Sequence, residues 1–343
     1  MSACRPVEIL GGGLAGLGLA LGLRRAGIPV VVHEAGDYPR HRVCGEFITS
    51  LDEETIDQLG LDAHLSDARP ATTVAWFHDH QCVHRHTLPE PARCLSRHTL
   101  DQRLAEALVT AGGTLLRGSR QSLRPTEGRV IAAGRRPNSQ APWIGLKVHV
   151  SNLKLAADLE LHLGRRCYVG LTPVEGDRVN VCGLFHRHNL DASPAAGADI
   201  LTAHLHQASL APLAARLNKA TVHHNSRCAV AGLDYHASEI DAPTGGIGDH
   251  ASLIPPFTGH GMTIALQSAR LALDPLVAWS RHEADWPTTA QRIGDRLRQH
   301  LGPKTRRASW LHHWLLQPSR QRFLLGLAKL RLLPTQTAYR LLH

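Results

Sequence analysis

The chain begins with short apolar runs separated by turn residues. Val7-Glu8-Ile9-Leu10 breaks at Gly11, apolar positions then recur at helical spacing as far as Ala26, and Val30-Val31-Val32-His33 leads into Glu34. This pattern predicts strand, glycine turn, helix and strand in succession. Residues 52–59 and 99–111 also have helical spacing, while 72–78, 82–88 and the apolar run 130–133 before Gly134 read as strands. Segments 143–150, 155–163, 167–171 and 178–184 alternate or run apolar between turn signals, as strands of an antiparallel sheet do. The pattern turns helical again over 261–279, and no internal repeat interrupts it. An α/β architecture with interleaved sheets follows.

The glycines of the first turn carry chemistry. Gly11, Gly13 and Gly16 stand in G-x-G-x-x-G spacing between a predicted strand and a predicted helix. In that setting the first glycine makes the tight turn, the second leaves room for a pyrophosphate against bare backbone, and the third lets helix and strand touch. The helix start, at Leu14 and Ala15, presents unpaired N–H groups and a positive dipole end to the phosphates. Glu34, at the end of the second strand, is placed to accept hydrogen bonds from ribose hydroxyls.

Composition narrows the class. The chain has 343 residues, of which 43% are hydrophobic and 20% charged, a balance that favours a folded globular enzyme over disorder. Its seven cysteines are odd in number and contain no C-x-x-C pair, so neither a disulfide framework nor a zinc site is expected. The alternating His78, His80, His84 and His86 lack a completing set of ligands, and no metal is expected there either. A cytoplasmic location is expected, since no secretory signal precedes the glycine turn and no apolar run is long enough to span a membrane.

Charge is concentrated at one end. Residues 296–343 hold ten Lys or Arg and no Asp or Glu, against a formal net charge of +9 for the whole chain. Trp310, Leu311, Trp314, Leu315, Phe323, Leu324, Leu327, Ala328 and Leu330 recur between those cations at helical spacing. Two readings stay open: a terminal helix covering the core with a solvated basic face, or peripheral contact with an anionic membrane. Nucleic acid is not expected as a partner, because no reading motif accompanies the basic segment.

Three motifs together resemble a family. The glycine turn, the loop Arg40-His41-Arg42-Val43-Cys44-Gly45-Glu46, and the stretch from Gly248-Asp249 through Pro255-Pro256-Phe257-Thr258-Gly259-His260-Gly261-Met262 are similar to FAD-dependent oxidoreductases with the p-hydroxybenzoate hydroxylase fold. Cys44-Gly45-Glu46 looks most like the geranylgeranyl reductase branch. The resemblance implies a Rossmann-type, glutathione reductase-like FAD-binding domain with an inserted antiparallel substrate sheet. Its parts would be 1–70, 96–140 and 236–285 for FAD, 71–95 and 141–235 for substrate, and 286–343 as a basic helical tail.

The family also implies roles for particular residues. Asp249 would accept from the ribityl chain, and Pro256, Gly259, His260, Gly261 and Met262 would pass beside the flavin ring, with the following helix aimed at it. Arg42 and Arg97 would help hold the cofactor, Arg97 through a two-pronged grip or, alternatively, as an ion-pair partner of Asp101. Cys44, Glu46 and His260 are the catalytic candidates, and His149 is a further histidine suited to proton transfer. Basic neighbours Arg40, His41 and Arg42 predict a lowered Cys44 thiol pKa, while a plain buried cysteine is the competing reading. Two activities follow: an NADPH- or NADH- and oxygen-dependent hydroxylation of a phenolic or polyketide-type lipophilic molecule, or saturation of isoprenoid alkenes. A non-catalytic flavin-binding protein is the third reading, and the sequence leaves oligomeric state open.

Overall fold

The computed structural model describes residues 3–135, 138–187, 199–235, 245–317, 319, 320, 323, 326 and 327. β1 (Val7–Leu10) leads through the glycine turn into α1 (Leu14–Arg25) and β2 (Val30–His33). β3 (Phe47–Ile48), α2 (Glu53–Leu59), α3 (Asp62–Leu65), β4 (Arg69–His78) and β5 (Gln81–Cys94) come next. They are followed by α4 (Arg97–Thr110), β6 (Thr114–Leu116) and β7 (Arg129–Ile131). β8 (Trp143–Ser151), β9 (Leu159–Gly164), β10 (Cys167–Val174) and β11 (Arg178–His186) precede α5 (Ile200–Gln207), α6 (Ala211–Leu217) and β12 (Thr221–Leu233). α7 (Gly261–Ser280) and α8 (Trp286–Leu316) complete the order.

Two sheets result. The first is parallel, in the order β6-β2-β1-β7, and a parallel bridge between Ile131 and Gly246 brings the returning chain beside β7. This is the Rossmann-type domain, and α1 packs behind it with every residue from Leu14 to Leu23 buried. The small face of α1 admits α7: a Cβ on Gly18 would stand 3.2 Å from Leu266, and one on Gly22 3.2 Å from Leu273. Leucines from both helices fill that seam, each contributing about 1.5–3 kcal/mol by leaving water.

The second sheet has eight strands in the order β12-β8-β11-β10-β9-β4-β5-β3. It is not purely antiparallel as expected, because β4 and β9 pair in parallel and thereby join the early hairpin to the later strands. That hairpin is also longer than its apolar pattern, since its outer positions are exposed and give no hydrophobic signal. The sheet buries one face under α5 and α6, through Leu201, Leu205, Leu213 and Leu217. Those two helices and the long β12 had no predicted counterpart. β8 is buried on both faces, which explains why its sequence runs apolar rather than alternating.

An acid ties the second sheet to α4. Glu175, in the turn between β10 and β11, accepts from the Ser96 backbone N–H at 2.9 Å and from the Thr99 hydroxyl at 2.5 Å, and it also bonds the Ser96 hydroxyl. Ser96 in turn caps α4, its hydroxyl accepting from Thr99 N–H at 3.1 Å. The start of α4 is therefore clasped by the tip of the β10–β11 hairpin.

At the far end, α8 runs unbroken from Trp286 to Leu316, into the basic segment, and buries Leu297, Leu301, Ala308 and Leu315. Within its span the covering-helix reading holds, while Trp310 remains 62% exposed. Leu324, Ala328 and Leu330 lie outside the described residues. No helix among the described residues is long and apolar enough to cross a membrane.

Candidate active site

A cleft of about 1340 Å³ opens between the two sheets. Its first end is built by the glycine turn. Gly11 has φ +111°, and a Cβ there would lie 2.3 Å from the Ala132 carbonyl oxygen, so the turn excludes any side chain. A Cβ on Gly16 would stand 2.0 Å from the Gly11 carbonyl, which makes this glycine the contact between helix and turn. Gly13 differs, since the nearest atom to its would-be Cβ is Arg97 Nη2 at 3.8 Å, and the space belongs to the cleft. These three situations are the ones that the G-x-G-x-x-G spacing predicts.

Glu34 is buried at this end. Its Oε2 accepts from Gly12 N–H and its Oε1 from Gly36 N–H, both at 2.8 Å, with Arg40 at 3.3 Å and Arg42 at 3.7 Å. The carboxylate thus shapes the glycine turn while it also lines the cleft. Arg97 and Arg42 converge on buried Asp101: Arg97 donates through Nε at 2.7 Å and Nη2 at 2.8 Å, and Arg42 through Nε at 3.0 Å. The ion pair and the cofactor-facing position are therefore compatible for Arg97. Burial works against its charge, but Asp101 outweighs that and holds the guanidinium cationic.

Asp249 stands across the cleft from this cluster, after Gly248. It lines the cavity and makes no hydrogen bond or ion pair with another described residue. The surrounding cleft walls push its carboxyl above the usual range, against the pull of Arg97, Arg135 and Arg42, although the side chain itself faces the open cleft. A carboxylate that faces the open cleft without a hydrogen-bond partner among the described residues suits a ligand that brings hydroxyl donors. α1 and α7 both lack a side-chain cap at their starts, and Leu14, Ala15, Gly261 and Met262 line the cleft there. Two uncapped helix starts, an open glycine, an arginine cluster and an acid on the cleft wall fit FAD, whose diphosphate would meet the first helix and the arginines, its ribityl chain Asp249 and its ring residues 256–261.

The flavin-side loop departs from expectation in one detail. Gly259 has φ +73°, and a Cβ there would meet Phe47 at 2.2 Å, so this glycine serves the packing of Phe47 as well as the cleft. Pro256 and Gly259 line the cavity, whereas His260 is buried behind it as the residue before α7. His260 is absent from the cleft lining, which argues against contact with the reacting atoms.

The C-G-E loop sits at the middle of the cleft, held from behind. Asn180 Nδ2 donates to the carbonyls of Cys44 at 2.9 Å and Gly45 at 3.0 Å. Glu46 adopts φ +60° and turns a fully enclosed carboxylate toward β8, where it accepts from Lys147 Nζ at 3.0 Å and meets His149 Nε2 at 2.5 Å. It also accepts from Arg97 N–H at 3.1 Å. Enclosure alone raises the Glu46 carboxyl, yet His149 and Lys147 outweigh it and hold it below its ordinary value. Glu46 is therefore a charged anchor for the loop rather than a group that reaches the reacting atoms, and His149 is its partner rather than a substrate-side histidine.

His41, Glu46 and His149 offer ligand atoms within 4.8 Å of one another, but Lys147 Nζ, 3.1 Å from His41 Nδ1, already supplies the cation. Lys147 was missed by the sequence reading. Its only signal was a lysine in an otherwise apolar strand, two residues before His149 and hence on the same face.

Cys44 lines the cleft, and its environment corrects the expected lowering of its thiol pKa. Burial pushes the thiol up, Arg97 opposes this, and Glu46 adds to it. Arg40 and Arg42 turn their charge to Glu34 and Asp101 instead, so the thiol keeps its proton.

The second end of the cleft is apolar. Trp76, Leu161, Tyr168, Leu233, Phe257 and Leu315 line it, drawn from four strands or their edges, the flavin loop and α8. Tyr168 is fixed by accepting from the Phe257 backbone N–H at 3.1 Å. Sequence reasoning had no means of finding this wall, because its members are scattered and each looks like core.

Comparison with known proteins agrees with this geometry. Residues 5–139 match the family model described as FAD binding domain. No curated protein sequence matches the chain. Among solved structures, a geranylgeranyl bacteriochlorophyll reductase-like protein from Thermoplasma acidophilum is 15% identical, with a TM-score of 0.73 over 98% of this chain and 95% of that one. PqsL, a probable FAD-dependent monooxygenase from Pseudomonas aeruginosa, is 18% identical at TM-score 0.68, over 94% and 98%. The p-nitrophenol 4-monooxygenase PnpA from Pseudomonas putida is 16% identical at TM-score 0.74, over 100% and 97%. The chain shares the fold of these proteins, and its residues 5–139 match the FAD-binding domain model.

Proposed function

We propose that this flavoprotein is an FAD-dependent oxidoreductase acting on a lipophilic small molecule, with NADPH or NADH as electron donor and oxygen-dependent hydroxylation of a phenolic or polyketide-type substrate as the reaction. One observation carries the reading: the polar, arginine-bearing end of the cleft continues directly into an apolar chamber, all within one cavity of about 1340 Å³. Bound FAD supplies the two-electron chemistry. The chain's own residues do the rest. Arg97 and Arg42, charged through Asp101, hold the diphosphate end, and Asp249 takes the sugar hydroxyls. Trp76, Tyr168 and Phe257 exclude water and offer aromatic surface to a planar ring. PnpA and PqsL, named as monooxygenases, share this fold and support the choice.

A second reading has its own observation. The protonated Cys44 thiol on the cleft wall suits delivery of a proton to an alkene carbon, and the Thermoplasma neighbour is named as geranylgeranyl reductase-like. One experiment separates the two. FAD-loaded protein is given NADH or NADPH with lipophilic phenols or prenyl alcohols, with and without oxygen, while nucleotide oxidation and products are followed. Hydroxylated phenol that requires oxygen is the expected result, and reduced prenyl product formed anaerobically would overturn it in favour of the second reading. Protein that takes up no FAD would defeat both.

A further inference from the structure

We propose that α8 sets the length of the molecule the cleft accepts, with Leu311 and Leu315 as specificity-determining residues. The inference rests on the reading of the apolar chamber as a substrate site. Both leucines line the cleft, and their spacing of four places them one turn apart on a single face of the helix. They come from the segment whose tryptophans and leucines suggested a membrane contact, and the structure turns part of that stripe inward.

The wall they form is fixed in place. His312, buried between them in sequence, has its ring centroid 5.0 Å from Tyr235, 5.4 Å from Trp143, 6.0 Å from Phe257 and 6.2 Å from Tyr168. Those four aromatics belong to β8, β10, the residues after β12 and the flavin-side loop. α8 is thereby anchored at four parts of the chamber wall, and Leu316 packs into the same aromatic cluster. Leu315 is 2% exposed and closes the chamber, whereas Trp310, beside Trp314 at 5.3 Å, is 62% exposed and marks its rim. A hydrocarbon chain running from the flavin side ends against Leu311 and Leu315, and a bulkier residue at either position shortens the chamber by part of that chain.

The test uses the FAD-loaded full chain and two probe series, 4-alkylphenols and 1-alkanols, each with butyl, octyl and dodecyl chains. Binding is read from perturbation of the flavin absorbance. The unaltered protein binds the dodecyl members most tightly in both series. Leu311→Trp weakens dodecyl binding at least tenfold and leaves butyl binding within twofold, on the order expected for chain atoms displaced from an apolar pocket. Leu315→Phe does the same if it folds, and the half-buried Leu311 keeps the test available if it does not. Equal effects on all chain lengths, or none, overturn the proposal. Preference for phenols over alkanols bears on the hydroxylation reading alone, while failure of both series to bind loaded protein overturns the substrate-site reading and this inference with it.

Discussion

The two ends of the cleft are built on opposite principles. The dinucleotide end is made of backbone: an open glycine, two uncapped helix starts, and charged side chains that pair with one another through Asp101 and Glu34. The chamber end is made of side chains from distant parts of the sequence, brought together by sheet register and a terminal helix. Backbone geometry tolerates almost no substitution, whereas a wall of interchangeable apolar side chains can be recut to fit another ligand. One end thus states the cofactor, and the other holds the choice of substrate.

Substitutions can test that contrast, beginning with the largest effect. Lys147→Met leaves the Glu46 carboxylate buried without its cation, and such a loss costs about 3–5 kcal/mol of stability. Urea unfolding should show it, and the double variant Lys147→Met with Glu46→Gln should recover most of the loss. Gly13→Val should weaken FAD binding about a hundredfold, roughly 3 kcal/mol, while the unfolding midpoint of FAD-free protein stays put. Gly11→Val should lower both, because its side chain meets protein instead of open cleft. A Gly13 variant that unfolds would erase the distinction between the two glycines.

Asp249→Asn should weaken FAD binding by about tenfold, the loss of a charged hydrogen-bond acceptor, as measured by flavin release on dilution. Acid should also loosen the protein. Burial and Lys147 lower His41 from 6.5 to about 4, and contacts with His162 and Arg216 outweigh burial to lower Glu160 from 4.5 to about 2. In both cases the unfolded chain binds the proton more readily, so stability is full above pH 6.5. It falls through His41 between pH 6.5 and 4 and through Glu160 between 4.5 and 2. Urea midpoints that do not change from pH 7 to 4 would contradict this. The smallest effect concerns the tail, where Trp310→Ala should reduce any binding to anionic liposomes by no more than about twofold, since most of the apolar face of α8 is already covered.

What the sequence disclosed follows the same division. Gly11, Gly13, Gly16 and Glu34 lie within one β-α-β unit, so spacing alone predicts their geometry. The role of Asp249 came from resemblance, and its partnerless carboxylate supplies the physical reason. Glu46 and Cys44 were found, but their behaviour was not. Their neighbours in sequence are Arg40, His41 and Arg42, while the groups that set their charge are Lys147, His149 and Arg97, which only strand register and the Asn180 tether bring near. α5, α6 and β12 were missed because their apolar positions are brief and interrupted by histidines and alanines.

The clasp of Glu175 on Ser96 and Thr99 has a consequence for how such a protein can change. A shift of the β10–β11 hairpin to suit a new ligand would pull on the first turn of α4 through Glu175, and with it on Arg97. Diversification at the chamber is therefore freer along its leucines than on this hairpin, where a shift of the strands would be felt at the start of α4.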